Sequence, residues 1–256
     1  MVRGGKWLLT ESKFLILISI FREKLKRISI AIDGPAASGK STTAKQVAAE
    51  LGYVHIDTGA MYRAITLKVI NRGIPVDDAE QVCRLAEETH VRLARDDGSL
   101  TVYLDDRDVT REIRSKKVTQ HVSTVSSYPG VRTVMVREQR TMAEGGGVVL
   151  EGRDIGTVVL PDAQLKIFLV ANIAERARRR RSELEASGIA TDEGTLISEL
   201  VERDRKDESR ENSPLRRAPD AIELDTTNLS VTEQVDFIVK RARSIIEGKV
   251  GHERHG

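Results

Sequence analysis

The feature that most constrains the fold of this chain is Gly34-Pro35-Ala36-Ala37-Ser38-Gly39-Lys40-Ser41, followed by Thr42, a match to G-x-x-x-x-G-K-[ST]. Such a loop joins a buried strand to the start of a helix, because its backbone N–H groups must stay free to surround phosphate oxygens. Both flanks fit. Residues 28–33 read I-S-I-A-I-D, short and β-branched, and beyond Lys40 the apolar positions Ala44, Val47, Ala48 and Leu51 recur at helical spacing up to Gly52. In this setting Lys40 reaches the β- and γ-phosphates and the Ser41 hydroxyl ligates Mg2+.

Strand and helix alternate from there. Residues 53–57 read as a second strand and the next helix runs through about Asn71, closed by Gly73, which predicts a parallel sheet covered by helices. After Pro75 the pattern breaks. Asp77 with Glu80 resembles a capping box for a helix to about Thr89, and residues 91–95 and 100–105 flank Asp-Asp-Gly-Ser as a β-hairpin. A helix beginning near Tyr128-Pro129 stops at Gly145-Gly146-Gly147. Strands resume at 148–151, 165–171 and 221–225, and Ser230 with Glu233 caps a closing helix. The expected fold is α/β: a doubly wound, five-stranded parallel sheet (core 28–72 and 128–247) with an inserted α+β subdomain at 73–127.

At 256 residues one compact unit with insertions is expected. The near-balance of 41 basic and 39 acidic residues leaves no global field that demands a polyanionic partner, so nucleic acid is not expected and anion binding must be local. Cys83 is the only cysteine, which excludes an intramolecular disulfide; its neighbours suggest a buried thiol on a helix face. The histidines are scattered, so no metal site made by protein alone is expected. Residues 14–21 (F-L-I-L-I-S-I-F) are too few for the roughly 20 that a membrane helix needs, and no small-residue cleavage site follows. Residues 1–27 are therefore taken as an appendage, 248–256 as a polar tail, and the chain as a cytoplasmic protein with no membrane partner. No heptad or large apolar stripe suggests an oligomer, so a monomer is expected.

The loop alone leaves GTPases, motor ATPases and small-molecule kinases open. No N-K-x-D motif reads guanine here. Instead arginines stand beside turns and on expected helices: Arg63, Arg132, Arg153, Arg203 and Arg210. In a doubly wound sheet the C-terminal strand ends form the ligand crevice, where Arg63 and Arg153 converge with Lys40. Several cations in one crevice suggest two phosphorylated ligands. A phosphate monoester is already anionic, so its attacking oxygen needs charge neutralisation and alignment rather than a general base. The run Arg176 to Arg181 reads as a solvated face, a nucleic-acid patch, or a flap over a nucleotide. Arg203, Asp207 and Arg210, spaced four and three apart, share a helical face that lines a cleft or forms a surface ion-pair ladder.

Over residues 28–247 these motifs resemble the bacterial cytidylate kinase family. I-A-I-D-G-P-A-A-S-G-K-S-T, H-I-D-T-G-A-M-Y-R-A, E-G-R-D-I-G-T-V-V-L-P-D-A and E-R-D-x-x-D occur in that family's order. The resemblance implies transfer of the ATP γ-phosphoryl group to CMP or dCMP with Mg2+, a nucleotide-binding insert, and a short lid at 176–188. Carried over by position, it implies that the loop Gly34 to Ser41, Thr42 and Arg178 bind ATP, that Thr58, Arg63 and Arg153 hold the acceptor phosphate, and that Arg210 lies near the transferring group. It further implies Ser123, Arg132 and Asp154 as cytosine readers and Arg203 with Asp207 as sugar contacts, leaving Lys40, Arg153 and Arg210 as the catalytic set. A carboxylate accepts from the cytosine 4-amino group, where uracil would oppose it with a carbonyl oxygen. Two features depart from the family pattern: Glu151 stands where many members have Asp, and residues 1–27 precede the domain. The rival readings are a kinase for UMP or a non-nucleotide acceptor, and a nucleic-acid-binding ATPase using Arg176 to Arg181.

Overall fold

The computed structural model describes residues 27–248 except 97, 98, 187 and 189. The apolar run at 14–21, the C-terminal tail beyond 248 and the tip of the expected hairpin lie outside the described residues.

Strand β1 (Ser29–Asp33) occupies the centre of a five-stranded sheet in the order β2-β6-β1-β7-β8, with β2 Val54–Asp57, β6 Val148–Gly152, β7 Leu165–Val170 and β8 Ile222–Asp225; every pairing is parallel. The alternation of β1 divides the core. Ile30 and Ile32 face one apolar layer and Ala31 the other, as a period of two requires. Helices α1 (Lys40–Leu51) and α8 (Val231–Ile246) cover the first face, packing Ala44, Val47, Ile238 and Ala242 onto it. The full capping box at Ser230 and Glu233 opens α8, as expected.

Helix α2 (Thr58–Asn71) starts at the tip of β2, where the Asp57 side chain accepts the Ala60 N–H at 3.0 Å. Beyond it come α3 (Ala79–Glu87), the antiparallel strands β3 (Val91–Asp96), β4 (Ser99–Leu104) and β5 (Arg107–Asp108), and α4 (Lys116–Val125). The sequence pattern contained neither the third strand nor α4. The latter is a short helix whose polar content (K-K-V-T-Q-H-V-S-T-V) hides its buried stripe of Val118, Val122 and Val125. The cap of α3 also differs from expectation: Asp78, not Asp77, accepts the Gln81 N–H at 3.0 Å. The apolar side chains of this region pack with α2 and with α5 (Pro129–Ala143) as one cluster, so the insert shares its core with those helices. Cys83, expected to be buried, is half-buried on α3; a Cβ on Gly130 would lie 2.6 Å from its sulfur, which is how closely α3 and α5 approach.

Helices α6 (Ile173–Glu185) and α7 (Glu193–Glu208) pack together over the glycine-rich loop, burying Ala36 with Ala177, Leu196 and Leu200. Among the described residues no helix is long and apolar enough to cross a membrane.

Candidate active site

The loop between β1 and α1 adopts the backbone its glycines allow. Gly34 has φ of 149°, and a Cβ there would lie 2.2 Å from the Leu169 carbonyl oxygen; Gly39 caps α1 at φ 94°. Ala37 takes φ of 58° without being glycine, so the surrounding contacts hold the loop in shape. Those contacts come from the far side of the sheet. Arg176 donates to the Ala36 carbonyl at 3.2 Å and pairs with Asp204, whose other oxygen accepts the Ala36 N–H at 3.3 Å. Arg179 and Thr226 both donate to the Ser38 carbonyl at 3.1 Å. Lys40 is 6% exposed and folds back on the Pro35 carbonyl at 2.5 Å. Burial drives its pKa well below the ordinary lysine value, and the Arg153 and Arg203 charges press the same way.

A cavity of about 590 Å3 opens in front of this loop, at the C-terminal ends of β1, β2 and β6 and under α4, α6 and α7. Eight basic and five acidic side chains line it, a positive excess concentrated well beyond the 41 to 39 balance of the whole chain. The crowding is measurable in the arginines. Burial and the neighbouring Arg153 and Arg63 lower Arg203 to about 9, and burial with Arg180, Arg114 and Arg153 lowers Arg63 to about 10 against the pull of Asp57. Arg203, Arg132 and Arg210 each keep a buried Nε with no hydrogen-bond partner among the described residues. Buried donors in that state call for an acceptor-rich ligand.

Carboxylates order the cations. Asp207 is 1% exposed; one oxygen accepts from Arg153 at 2.7 Å and the other from Arg210 at 2.5 Å. Burial raises its pKa, but Arg153, Arg210 and Arg203 together bring it below the ordinary value. Asp154 pairs with Arg132, which also donates to the Ser126 carbonyl at 3.1 Å and stacks over the Tyr62 ring at 5.3 Å. Glu151 reaches further than an aspartate would: one oxygen accepts from the Ser41 hydroxyl at 2.6 Å and the other meets His55 Nε2 at 2.9 Å. Its main-chain carbonyl accepts from Thr58 at 2.6 Å.

Of the residues singled out in the sequence, Ala36, Ala37, Gly39, Lys40, Ser41, Thr42, Thr58, Arg63, Ser123, Arg132, Arg153, Asp154, Arg203, Asp207 and Arg210 line this one cavity. Gly34, Pro35 and Ser38 shape the loop behind it. Arg178 does not reach it: its side chain is 61% exposed and clasps Glu175 with two bonds of 2.7 Å. Arg180 lines the cavity in its place, because on α6 Arg176 and Arg180 are one turn apart while Arg178 faces away. Arg210 lies past the end of α7 rather than on it, yet still closes onto Asp207. Arg114, Tyr62 and Arg180 are lining residues that sequence reasoning missed.

The profile of the cytidylate kinase family matches residues 30–244. The chain belongs to that family. The cytidylate kinase of Pelotomaculum thermopropionicum is 53% identical over 214 residues, covering 83% of this chain and 95% of that protein. Those of Geobacillus kaustophilus and Streptococcus suis are each 50% identical, covering 88% and 87% of this chain and 99% and 100% of theirs. For a member of the cytidylate kinase family, the cavity's pairing of a phosphate loop with a separate arginine cluster is the arrangement to be explained chemically.

Proposed function

We propose that this protein transfers the γ-phosphoryl group of ATP to CMP or dCMP, giving ADP and CDP or dCDP. The observation that carries the reading is that one cavity is lined together by the phosphate loop with Lys40, by the Arg132–Asp154 pair, and by Arg63, Arg153, Arg203 and Arg210.

In this reading the loop N–H groups and Lys40 take the ATP phosphates. Thr58, Arg63 and Arg153 hold the acceptor phosphate, and Arg210 neutralises charge on the transferring group. Bringing two polyanions into line is the main barrier, and cations fixed by buried carboxylates lower it without reorganising during the reaction. Elsewhere in the cavity Asp154 gives one oxygen to Arg132 and keeps the other for the cytosine 4-amino group, while Arg132 still has an Nε donor without a partner among the described residues. Uracil would set a carbonyl oxygen against that carboxylate. Ser123 completes the base pocket. Arg203 and the remaining lone pairs of Asp207 suit the sugar hydroxyls.

The Ser41 hydroxyl, with Glu151 behind it, offers the hard oxygen donors that Mg2+ prefers, and Mg2+ is ordinarily held by few protein ligands together with substrate phosphates. When bound it would neutralise phosphate charge. A reaction that draws on ATP and CMP suits a cytoplasmic location. The test is ADP release from ATP and Mg2+ with CMP, dCMP, UMP, AMP or a shikimate-type alcohol at equal concentration. Turnover preferring CMP and dCMP is expected; turnover indifferent to acceptor, or dependent on a polynucleotide, defeats the reading.

A further inference from the structure

The acceptor end depends on the stretch that leaves β6, where Gly152, Arg153 and Asp154 lead into a π-helical turn at Ile155–Val159. What pins that stretch lies on another strand. Asp33 ends β1, directly before Gly34, and is 5% exposed. Its Oδ1 accepts the Ile155 N–H at 2.9 Å and its Oδ2 accepts the Gly156 N–H at 2.8 Å.

We propose that Asp33 is a positioning residue for the acceptor nucleotide: by gripping the two amides that follow Asp154, it sets the aim of Arg153 and Asp154 into the cavity. The inference rests on the reading that this end of the cavity takes CMP.

Three features support it. A carboxylate of this length can accept from both amides at once, whereas an asparagine would turn an NH2 group on one of them. The carboxylate also lies directly against the Gly156 main chain: a Cβ there would be in contact with Asp33 Oδ2 at 3.4 Å, with the Lys166 side chain nearer still at 3.2 Å. Finally, the two amide hydrogen bonds favour the carboxylate form against its surroundings. Burial pushes Asp33 up to about 6, with Asp154 adding to the rise and the two amides and Lys40 opposing it. Lys166, beside Gly156, is already paired with Asp220 at 2.8 Å.

The donor loop does not use this grip. Its carbonyls and N–H groups are tied to Arg176, Arg179, Asp204 and Thr226, so the two hydrogen bonds of Asp33 serve the acceptor side, and the loop feels Asp33 only through its charge on Lys40. Loss of the grip should therefore separate the two nucleotides.

Isothermal titration calorimetry of ATP and of CMP, each alone, on the wild type, Asp33→Asn and Gly156→Ala provides the test. In Asp33→Asn the Kd for CMP should rise about tenfold, the scale of one disrupted buried hydrogen bond, while that for ATP changes less than about twofold. Gly156→Ala, which sets a methyl group between the same carboxylate and the Lys166 side chain, should give the same split at smaller size and carries the test if Asp33→Asn does not fold. Equal weakening of both nucleotides, or unchanged CMP affinity in folded variants, overturns the inference. A wild type that binds ATP but not CMP sinks the reading of the acceptor itself.

Discussion

In the proposed function the donor end of the cavity is one unbroken stretch, the loop from Gly34 to Ser41, which binds mainly with backbone, whereas the acceptor end gathers Thr58 and Arg63 from α2, Arg132 from α5, Arg153 and Asp154 from the exit of β6, and Asp207 and Arg210 from the end of α7. The donor end is rigid by loop geometry, with two positive-φ glycines and a strained Ala37. The acceptor end is rigid by charge, with Asp207 holding two guanidiniums and Asp154 a third. A backbone site recognises what every nucleotide triphosphate shares. A side-chain site can discriminate, because each group in it contributes separately.

If that contrast holds, substitutions at the two ends should fail in different ways. Lys40→Ala should lower kcat by about a thousandfold or more whatever the acceptor, the scale of losing a preorganised cation at a transferring phosphoryl group; near-normal turnover would break the assignment of the donor end. Arg153→Gln should reduce kcat/KM for CMP by about a hundredfold while leaving ATP affinity nearly intact, as direct nucleotide titration would reveal. Asp154→Asn should act mainly on choice, narrowing the kcat/KM ratio of CMP to UMP by about tenfold.

A pH effect sharpens the comparison further. Asp33 is pushed up to about 6 in the folded chain from an ordinary 3.8, so its contribution to stability is full below about pH 4 and is lost as pH rises through 6. The difference is on the order of 3 kcal/mol. Denaturant unfolding between pH 4 and 7 should show that slope in the wild type and lose it in Asp33→Asn. The smallest effect belongs to Arg178→Ala, which should change ATP affinity by less than about twofold because that side chain only meets Glu175 on the surface, where such pairs contribute little. A large loss would mean that α6 turns Arg178 inward when ATP is bound.

The same contrast explains what could be read from sequence. The donor loop is contiguous, so its pattern, its flanking strand and its helix were all visible in order, as were the five parallel strands. Parts of the acceptor end were visible only through motif resemblance, since nothing local to Arg132 or Asp207 says that they meet. Where local pattern had to serve alone, it failed in physical ways. Arginine composition marked residues 176–181 without giving helical phase, so it did not single out Arg180, which lines the cavity. The stripe of α4 is three valines in a polar helix, too sparse to stand out, and with it went Arg114 and Thr119 at the cavity wall. Asp33 reads as the last residue of a strand. Its partners lie more than a hundred positions away, with separations of 122 and 123 residues.

Strand β1, at the middle of the sheet, also has an entrance. Arg27 packs against Gly146 and Gly147 at the N-terminal edge of the sheet, and six residues later the strand ends at Asp33, directly before the phosphate loop, about 20 Å further along at ordinary strand rise. Whatever is attached ahead of Arg27 therefore joins the domain at the pole opposite the nucleotides. That pole is the natural place to join a tag, a surface tether or a fused partner to the domain.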